Sequence, residues 1–336
     1  MHLWFKPFRL ILFFLLGTLI FGSLSACQRQ SAEPISSRQP TDCHWVDHTA
    51  GRTCVPDQIE RLVTLDSTSF EAAIALGLKP MGTVAFQGLD TYLADQLADV
   101  ADIGQAGEPN IESIVALKPD FILGLDHQQS AYEQLSQIAP TVLLPFDHSG
   151  QWKEVFANYS QVLNQETIGQ QVMDDYQRRA QAFQQQLASQ LPSDLASSLQ
   201  VSVVRMYPDS INLYFLDSFP GTVLDDAGLA RPTEQDISAA EAKSRYQNPI
   251  QASISLERLD YADGDAIFVW TAENTAAANQ TAQEKLAELQ ANPLWQSLKA
   301  VQADRVYFVP SYWIGSGPIA ANAILDDLFK YLIKES

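Results

Sequence analysis

The stretch 167–191 constrains the fold more than any other part of the chain. It is rich in Gln, Ala and Arg, carries no Pro, and has no Gly after Gly169. Nothing in such a run breaks a helix. At about 1.5 Å per residue it extends over more than ~30 Å. It is too polar for a core helix and reads as one stiff rod crossing between two bodies. The bland alternative is a surface helix of a single domain.

On both sides of the rod, short apolar runs alternate with helical ones. Before it, strands are expected at 61–65, 81–85, 121–125 and 141–144, with helices at 70–78, 110–117, 131–138 and 151–163. After it, strands are expected at 201–206, 211–215, 266–270 and 306–309. The helices there fall at 219–227, 281–291 and 318–334. Residues 231–253 show little period and read as a long loop. Short buried strands alternating with helices build βα units around a mostly parallel sheet. The expected class is therefore α/β. Two Rossmann-like lobes, at 43–165 and 193–336, are joined by one long interdomain α-helix at 166–192. A length of 336 residues, about twice an average domain, fits two lobes.

The first 26 residues read as an address. Lys6 and Arg9 precede an apolar run at 10–20, and small residues follow. That is the pattern of a signal peptide. Leu24-Ser25-Ala26-Cys27 resembles a bacterial lipobox, which implies a lipidated Cys27 at the mature N-terminus. An uncleaved membrane anchor is the alternative. Either way the rest of the chain lies outside the cytoplasm, and the polar segment 27–42 is a flexible tether. In an oxidising compartment Cys43 and Cys54, closing a short loop, suggest a disulfide with a turn near Ala50-Gly51. His44 and His48 between them raise a zinc site, but the order is not a usual zinc spacing. His127 and His148 are expected on solvated loops.

Charge narrows the function. The chain has 21 Lys and Arg against 40 Asp and Glu, a formal charge of −19. Losing the signal removes two cations and makes it more negative still. A nucleic-acid partner normally needs a basic stripe and is excluded. The sequence lacks a Gly-x-Ser-x-Gly elbow, a His-Glu-x-x-His zinc motif, a phosphate loop and a dinucleotide fingerprint, so no enzyme class is indicated. A glycosidase-like carboxylate pair stays open. A bare-metal site would want converging His and carboxylate ligands, and none is expected at the strand ends.

An internal echo links the lobes. Asn110-Ile-Glu112 opens a helix that leads to Asp120 and the strand 121–125. Ser255-Leu-Glu257 opens another that leads to Asp265 and the strand 266–270. Singly, each Glu favours the dipole of its helix. Paired, they suggest two equivalent exposed carboxylates, one per lobe.

Several long segments together resemble a known family. RLVTLDSTSFEAAIALGLKPMGT, IGQAGEPNIESIVALKPDFILG, the rod, GTVLDDAGLARP, ISLERLDYADGDAIFV and NPLWQSLKAVQADRVYFVPSYWIGSGPIAANAILDDL are similar to the ferric-siderophore and cobalamin periplasmic binding proteins of ABC importers. The likeness covers roughly residues 56–334. It implies two α/β lobes with a ligand cleft between them and little lobe movement. It also implies a monomer outside the cytoplasm, and Glu112 and Glu257 docking onto arginines of the membrane permease. The ligand it implies is a ferric siderophore of hydroxamate or citrate type. Cobalamin or haem is the alternative, and iron enters as part of the cargo, not as a resident cofactor.

Ligands of open α/β sheets bind beyond the carboxyl ends of the strands. That rule selects the loops 66–69, 104–105, 126–127 and 146–147 in the first lobe, together with Phe86 and Gln87. In the second it selects 206–209, 271–274 and 311–315, which hold Tyr207, Tyr312 and Trp313, and Arg205, Tyr214 and Trp270 are candidates from the strands beside them. Arg205 is the strongest of these, a charge inside the apolar strand VSVVRMY. The resemblance gives it the anionic oxygens of the iron complex, and an acidic neighbour is its structural alternative. The aromatics would form walls, with Trp313 on an exposed turn beside Gly315 and Gly317. Lys243 and Arg245 are weaker basic candidates. So few cations favour a neutral ferric hydroxamate over a highly anionic catecholate.

Overall fold

The computed structural model describes residues 42–85, 90–105, 107–191, 198–273 and 275–334. The signal segment, the lipobox with Cys27, and Phe86 with Gln87 lie outside the described residues. Among the described residues no helix is long and apolar enough to cross a membrane.

The chain begins with a hairpin of β1 (Cys43–His48) and β2 (Gly51–Pro56), closed by a disulfide between Cys43 and Cys54 with a Cα–Cα distance of 5.6 Å. Gly51 follows the turn with φ +138, a backbone shape that side chains disfavour. His48 docks this hairpin on the sheet behind it. Its Nδ1 accepts from the backbone N–H groups of Ala50 at 3.3 Å and Leu143 at 3.4 Å, so its Nε2–H donates to Thr53 Oγ1 at 2.9 Å. Burial lowers the pKa of His48. His44 reaches the Val162 carbonyl at 3.1 Å. Both histidines are thus engaged in packing the hairpin. The disulfide should add about 2–4 kcal/mol by restricting the unfolded chain.

The first sheet holds β3 (Leu62–Thr64), β4 (Gly82–Ala85), β5 (Ala101–Gln105), β6 (Glu108–Pro109), β7 (Phe121–Leu125) and β8 (Thr141–Leu144). Their order is β6-β5-β4-β3-β7-β8, parallel except for β6. The second sheet holds β9 (Val201–Met206), β10 (Ile211–Tyr214), β11 (Gln251–Ile254), β12 (Ala266–Thr271) and β13 (Val306–Phe308). Its order is β11-β10-β9-β12-β13, with β9, β12 and β13 parallel and β10 antiparallel to both of its neighbours. Strands β7 and β8 are fully buried, so they read as nearly continuous apolar runs.

The rod is the helix Glu166–Gln190. One stripe of it is apolar, and the stripe changes partner along its length. Gly169 lies where an added Cβ would come within 2.7 Å of Ser160 Cβ on the helix Trp152–Val162 of the first lobe. Val172 and Met173 touch the core that contains β3, β7 and β8. Tyr176, Ala180, Phe183 and Leu187 enter the core of the second lobe. There Tyr176 Oη donates to Asp226 Oδ2 at 2.6 Å, and Phe183 meets Phe329 edge to face at 5.4 Å. Asp226 also holds Lys153 Nζ of the first lobe, at 2.5 Å from Oδ2.

Two expectations need correction. The segment 231–253 is not a loop. It contains the helix Ala239–Tyr246, capped by Ser238, and then β11. Its irregular pattern arises because the strand is short, lies at a sheet edge and is only half-buried. The Ser255-Leu-Glu257 start opens a 3-10 helix, Leu256–Ala262, whereas Asn110 caps the α-helix Ile111–Leu117 through Ser113 N–H at 3.0 Å. The echo therefore holds in position but not in helix type. The sequence reading also lacked the helix Asp90–Leu97 and the strands β5 and β6.

Candidate functional site

A cavity of about 390 Å³ opens between the sheets. Phe146, Asp147, His148 and Ser149, just beyond β8, line one side. Arg205, Tyr214, Pro220, Ile314 and the run Asn248 to Gln251 line the other. Both walls lie beyond or beside strand ends, where open α/β sheets bind ligands. Apolar and polar groups alternate, as a compact amphipathic ligand needs. His148 is not on a solvated loop as expected. It is half-buried, and its Nδ1 is buried without a hydrogen-bond partner.

Arg205 organises the second wall. Its strand β9 is central, with β10 on one side and β12 on the other. Nη1–H donates to Tyr214 Oη at 3.2 Å, and Nη2–H donates to the Ala272 carbonyl. The guanidinium stacks over the Tyr207 ring at 4.1 Å. Glu273 Oε1 lies 3.7 Å from Nη2, and the two side chains are only 13% and 16% exposed. Nε is buried and has no hydrogen-bond partner. Arg205 thus faces the cavity and is ion-paired at once, so both readings of it from sequence describe part of its surroundings. Burial pushes the Tyr214 hydroxyl pKa up, against the pull of Arg205. Tyr207 Oη donates to Gln251 Oε1 at 3.3 Å, which ties β11 to the same cluster.

The tryptophans sit deeper than expected. Trp270 packs against Tyr214 at 5.0 Å and against Trp313 at 6.1 Å, and both indoles are buried. Trp313 is not on an exposed turn: it stacks on Phe268 at 4.6 Å and donates Nε1–H to Asp327 Oδ2 at 2.8 Å. The neighbouring glycines suit close packing here, since an added Cβ at Gly315 would lie 2.4 Å from Ala320 Cβ. Tyr312 also donates to Asp327, at 2.8 Å, and meets Tyr92 edge to face at 5.8 Å. Burial raises the pKa of Asp327 in spite of both donors. The structure thus brings Arg205, Tyr207, Tyr214 and Trp270 together, with Trp313 behind them. Tyr312 stands apart, beside the helix Asp90–Leu97. Lys243 and Arg245 lie away from the cavity on exposed helix positions, Arg245 paired with Glu241.

A second polar cluster joins the lobes outside the cavity. Glu71, on the helix Ser67–Ala75, is 1% exposed. Its Oε1 accepts from Ala320 N–H at 2.8 Å, at the start of the C-terminal helix Pro318–Leu332. Tyr92 Oη donates to Oε2 at 2.8 Å, and Thr68 bonds Ser316 at 2.5 Å beside it. Burial pushes the Glu71 carboxyl up to about 7, although these donors pull it down. Nothing in the sequence marked Glu71, because a lone carboxylate in an apolar helix looks like an ordinary outward-facing residue. Glu112 and Glu257 are exposed in the first turns of their helices. The Ser255 hydroxyl and the backbone N–H of Glu257 itself hold the Glu257 carboxyl below its usual range.

Two α/β bodies, one long helix through both cores and a ligand-sized cavity between them define a solute-binding protein with two lobes, a carrier and not an enzyme. Residues 62–313 match the family described as periplasmic binding protein, and the chain belongs to that family. The probable siderophore-binding lipoprotein YfiY of Bacillus subtilis is 32% identical over 98% of this chain and 99% of its own length. The achromobactin-binding periplasmic protein of Dickeya dadantii is 30% identical over 80% of this chain and 85% of its own. Among solved structures, SirA of Staphylococcus aureus complexed with staphyloferrin B superposes with a TM-score of 0.73 at 25% identity, covering 86% of this chain and 98% of SirA.

Proposed function

We propose that this chain captures a ferric siderophore in the cavity between its lobes and delivers it to the permease of an ABC importer for iron uptake. The lobes comprise 43–165 and 193–336, with 166–192 as the connecting helix. The mature protein is a monomer held to the outer side of the cell membrane by a lipid on Cys27. Glu112 and Glu257 dock it on the permease. Iron is cargo, held by the siderophore and not by protein ligands.

One observation carries the ligand class. The cation lining the cavity, Arg205, lies beside a carboxylate, so the wall offers hydrogen bonds and aromatic surface but little net positive charge. A complex of low net charge suits such a site, as in the hydroxamate or mixed citrate–hydroxamate classes. The relatives' names support the siderophore class as a whole. Tyr214 supplies the aromatic surface of the cavity, backed by Tyr207, Trp270 and Trp313. Tyr312, Phe86 and Gln87 stay proposed contributors from the neighbouring loops.

The test is a titration of the purified protein with ferric siderophores, read by tryptophan quenching and native mass spectrometry. A neutral ferric hydroxamate should bind more tightly than a ferric catecholate. Arg205→Ala should weaken binding by about tenfold or more while the fold survives. Tighter binding of the catecholate, or of haem or cobalamin, overturns the ligand class. Unchanged affinity in Arg205→Ala removes that residue from the site.

A further inference from the structure

The ligand preference traces to a residue the sequence reading did not single out. Glu273 follows the carboxyl end of β12, and Arg205 lies near the carboxyl end of β9. These strands are parallel neighbours, with Trp270 opposite Arg205, so the topology brings an anion to the cation exactly one strand over, at the rim where ligands bind.

The geometry separates holding Arg205 from neutralising it. Neutral groups hold the guanidinium: the Tyr214 hydroxyl, the Ala272 carbonyl and the face of Tyr207. Glu273 Oε1, at 3.7 Å, is beyond hydrogen-bond reach of Nη2 and acts on it through charge. Both groups are largely withdrawn from water, where such a charge acts more strongly than at an exposed site. An anionic ligand oxygen approaching Arg205 therefore meets the repulsion of Glu273 as well as the attraction of the guanidinium. A neutral donor atom meets no such charge repulsion.

Building on the siderophore reading above, we infer that Glu273 is a specificity-determining residue, which sets the charge of the Arg205 wall and selects ferric complexes of low net charge. Specificity here is a built-in repulsion against the wrong partner.

The experiment compares wild type, Glu273→Gln and Glu273→Asp, with a neutral ferric trihydroxamate and a triply anionic ferric tricatecholate as probes. Glu273→Gln should tighten catecholate binding by about tenfold while trihydroxamate affinity stays within about twofold. The gain should shrink at high salt. Glu273→Asp, which keeps the charge, should keep the wild-type preference. Thermal unfolding of each variant reports whether it is folded. A ratio unchanged in Glu273→Gln, or a parallel loss for both probes in a folded variant, overturns the inference while leaving the siderophore reading intact. Should Glu273→Gln fail to fold, Glu273→Asp decides: a charge-retaining variant that loses the preference also overturns it. Wild type that binds neither probe overturns the siderophore reading and this one with it.

Discussion

Glu71 shows how one residue couples the lobes to pH. Folded, it keeps its proton up to about pH 7; unfolded, it would release it near 4.5. Between those values the native state binds more protons, so stability falls as pH rises through the window. The contribution is full below about 4.5 and lost above about 7. A gap of this size corresponds to roughly 3 kcal/mol. Glu71→Gln keeps an acceptor for Ala320 N–H, replaces the oxygen that accepts from Tyr92 with an N–H that can donate to the same hydroxyl, and cannot ionise. The variant should therefore be more stable than wild type at pH 8, by roughly 1–3 kcal/mol, and the difference should vanish near pH 4.5. Chemical denaturation across pH 4.5–8 checks this; a constant difference would show that Glu71 does not titrate in the window. Glu71 was invisible from sequence because burial of a helix face depends on a partner 249 residues away. Arg205 was visible because a charge within VSVVRMY stands out. Its partner Glu273 falls in the selected loop 271–274 but could not be matched to Arg205, since strand order decides which strand ends are neighbours and the sequence does not print it.

At the scale of elements, the rod is set by its crossing as much as by its length. Replacing a helical Gly by Ala ordinarily gains about 1 kcal/mol. At Gly169 the new Cβ would lie 2.7 Å from Ser160 Cβ, an atom that cannot swing away. The helix Trp152–Val162 would have to shift. Overpacking should win, so Gly169→Ala should cost about 1–2 kcal/mol. Urea unfolding reads the sign directly, and a stabilised variant would mean the helices can separate there at little cost. The rod was legible because 25 residues with no Pro and a single Gly, in the first turn, leave few alternatives. Strands β7, β8 and β9 were legible to the residue, since each is a buried apolar run with clear ends. Strand β11 was not. It is short, half-buried and antiparallel at an edge, so neither alternation nor continuous hydrophobicity marks it. With it went Asn248 to Gln251, a third of the residues lining the cavity.

For the whole molecule, the docking proposed above gives the excess of acid a use. A rod seated in both cores ties the lobes together, and each lobe carries an exposed first-turn carboxylate. Glu112 and Glu257 are exposed first-turn residues, and local hydrogen bonds keep Glu257 ionised. On the docking proposed above, the excess of acid would draw the protein toward a basic membrane-protein face, and the two carboxylates would set register. Both lie outside the cavity lining, so ligand affinity and docking should separate cleanly. Glu112→Lys and Glu257→Lys should each reduce uptake of the iron complex, and the double variant should reduce it by about tenfold or more, because reversal replaces attraction by repulsion at both contacts. Ligand affinity should remain that of wild type. Binding of the wild-type protein to permease in proteoliposomes should weaken with salt, and the double variant should lose most of that dependence. Undiminished uptake by the double variant would place the permease contact elsewhere on the surface. A parallel loss of ligand affinity would mean that the carboxylates act through the fold, since nothing in their positions connects them to the cavity.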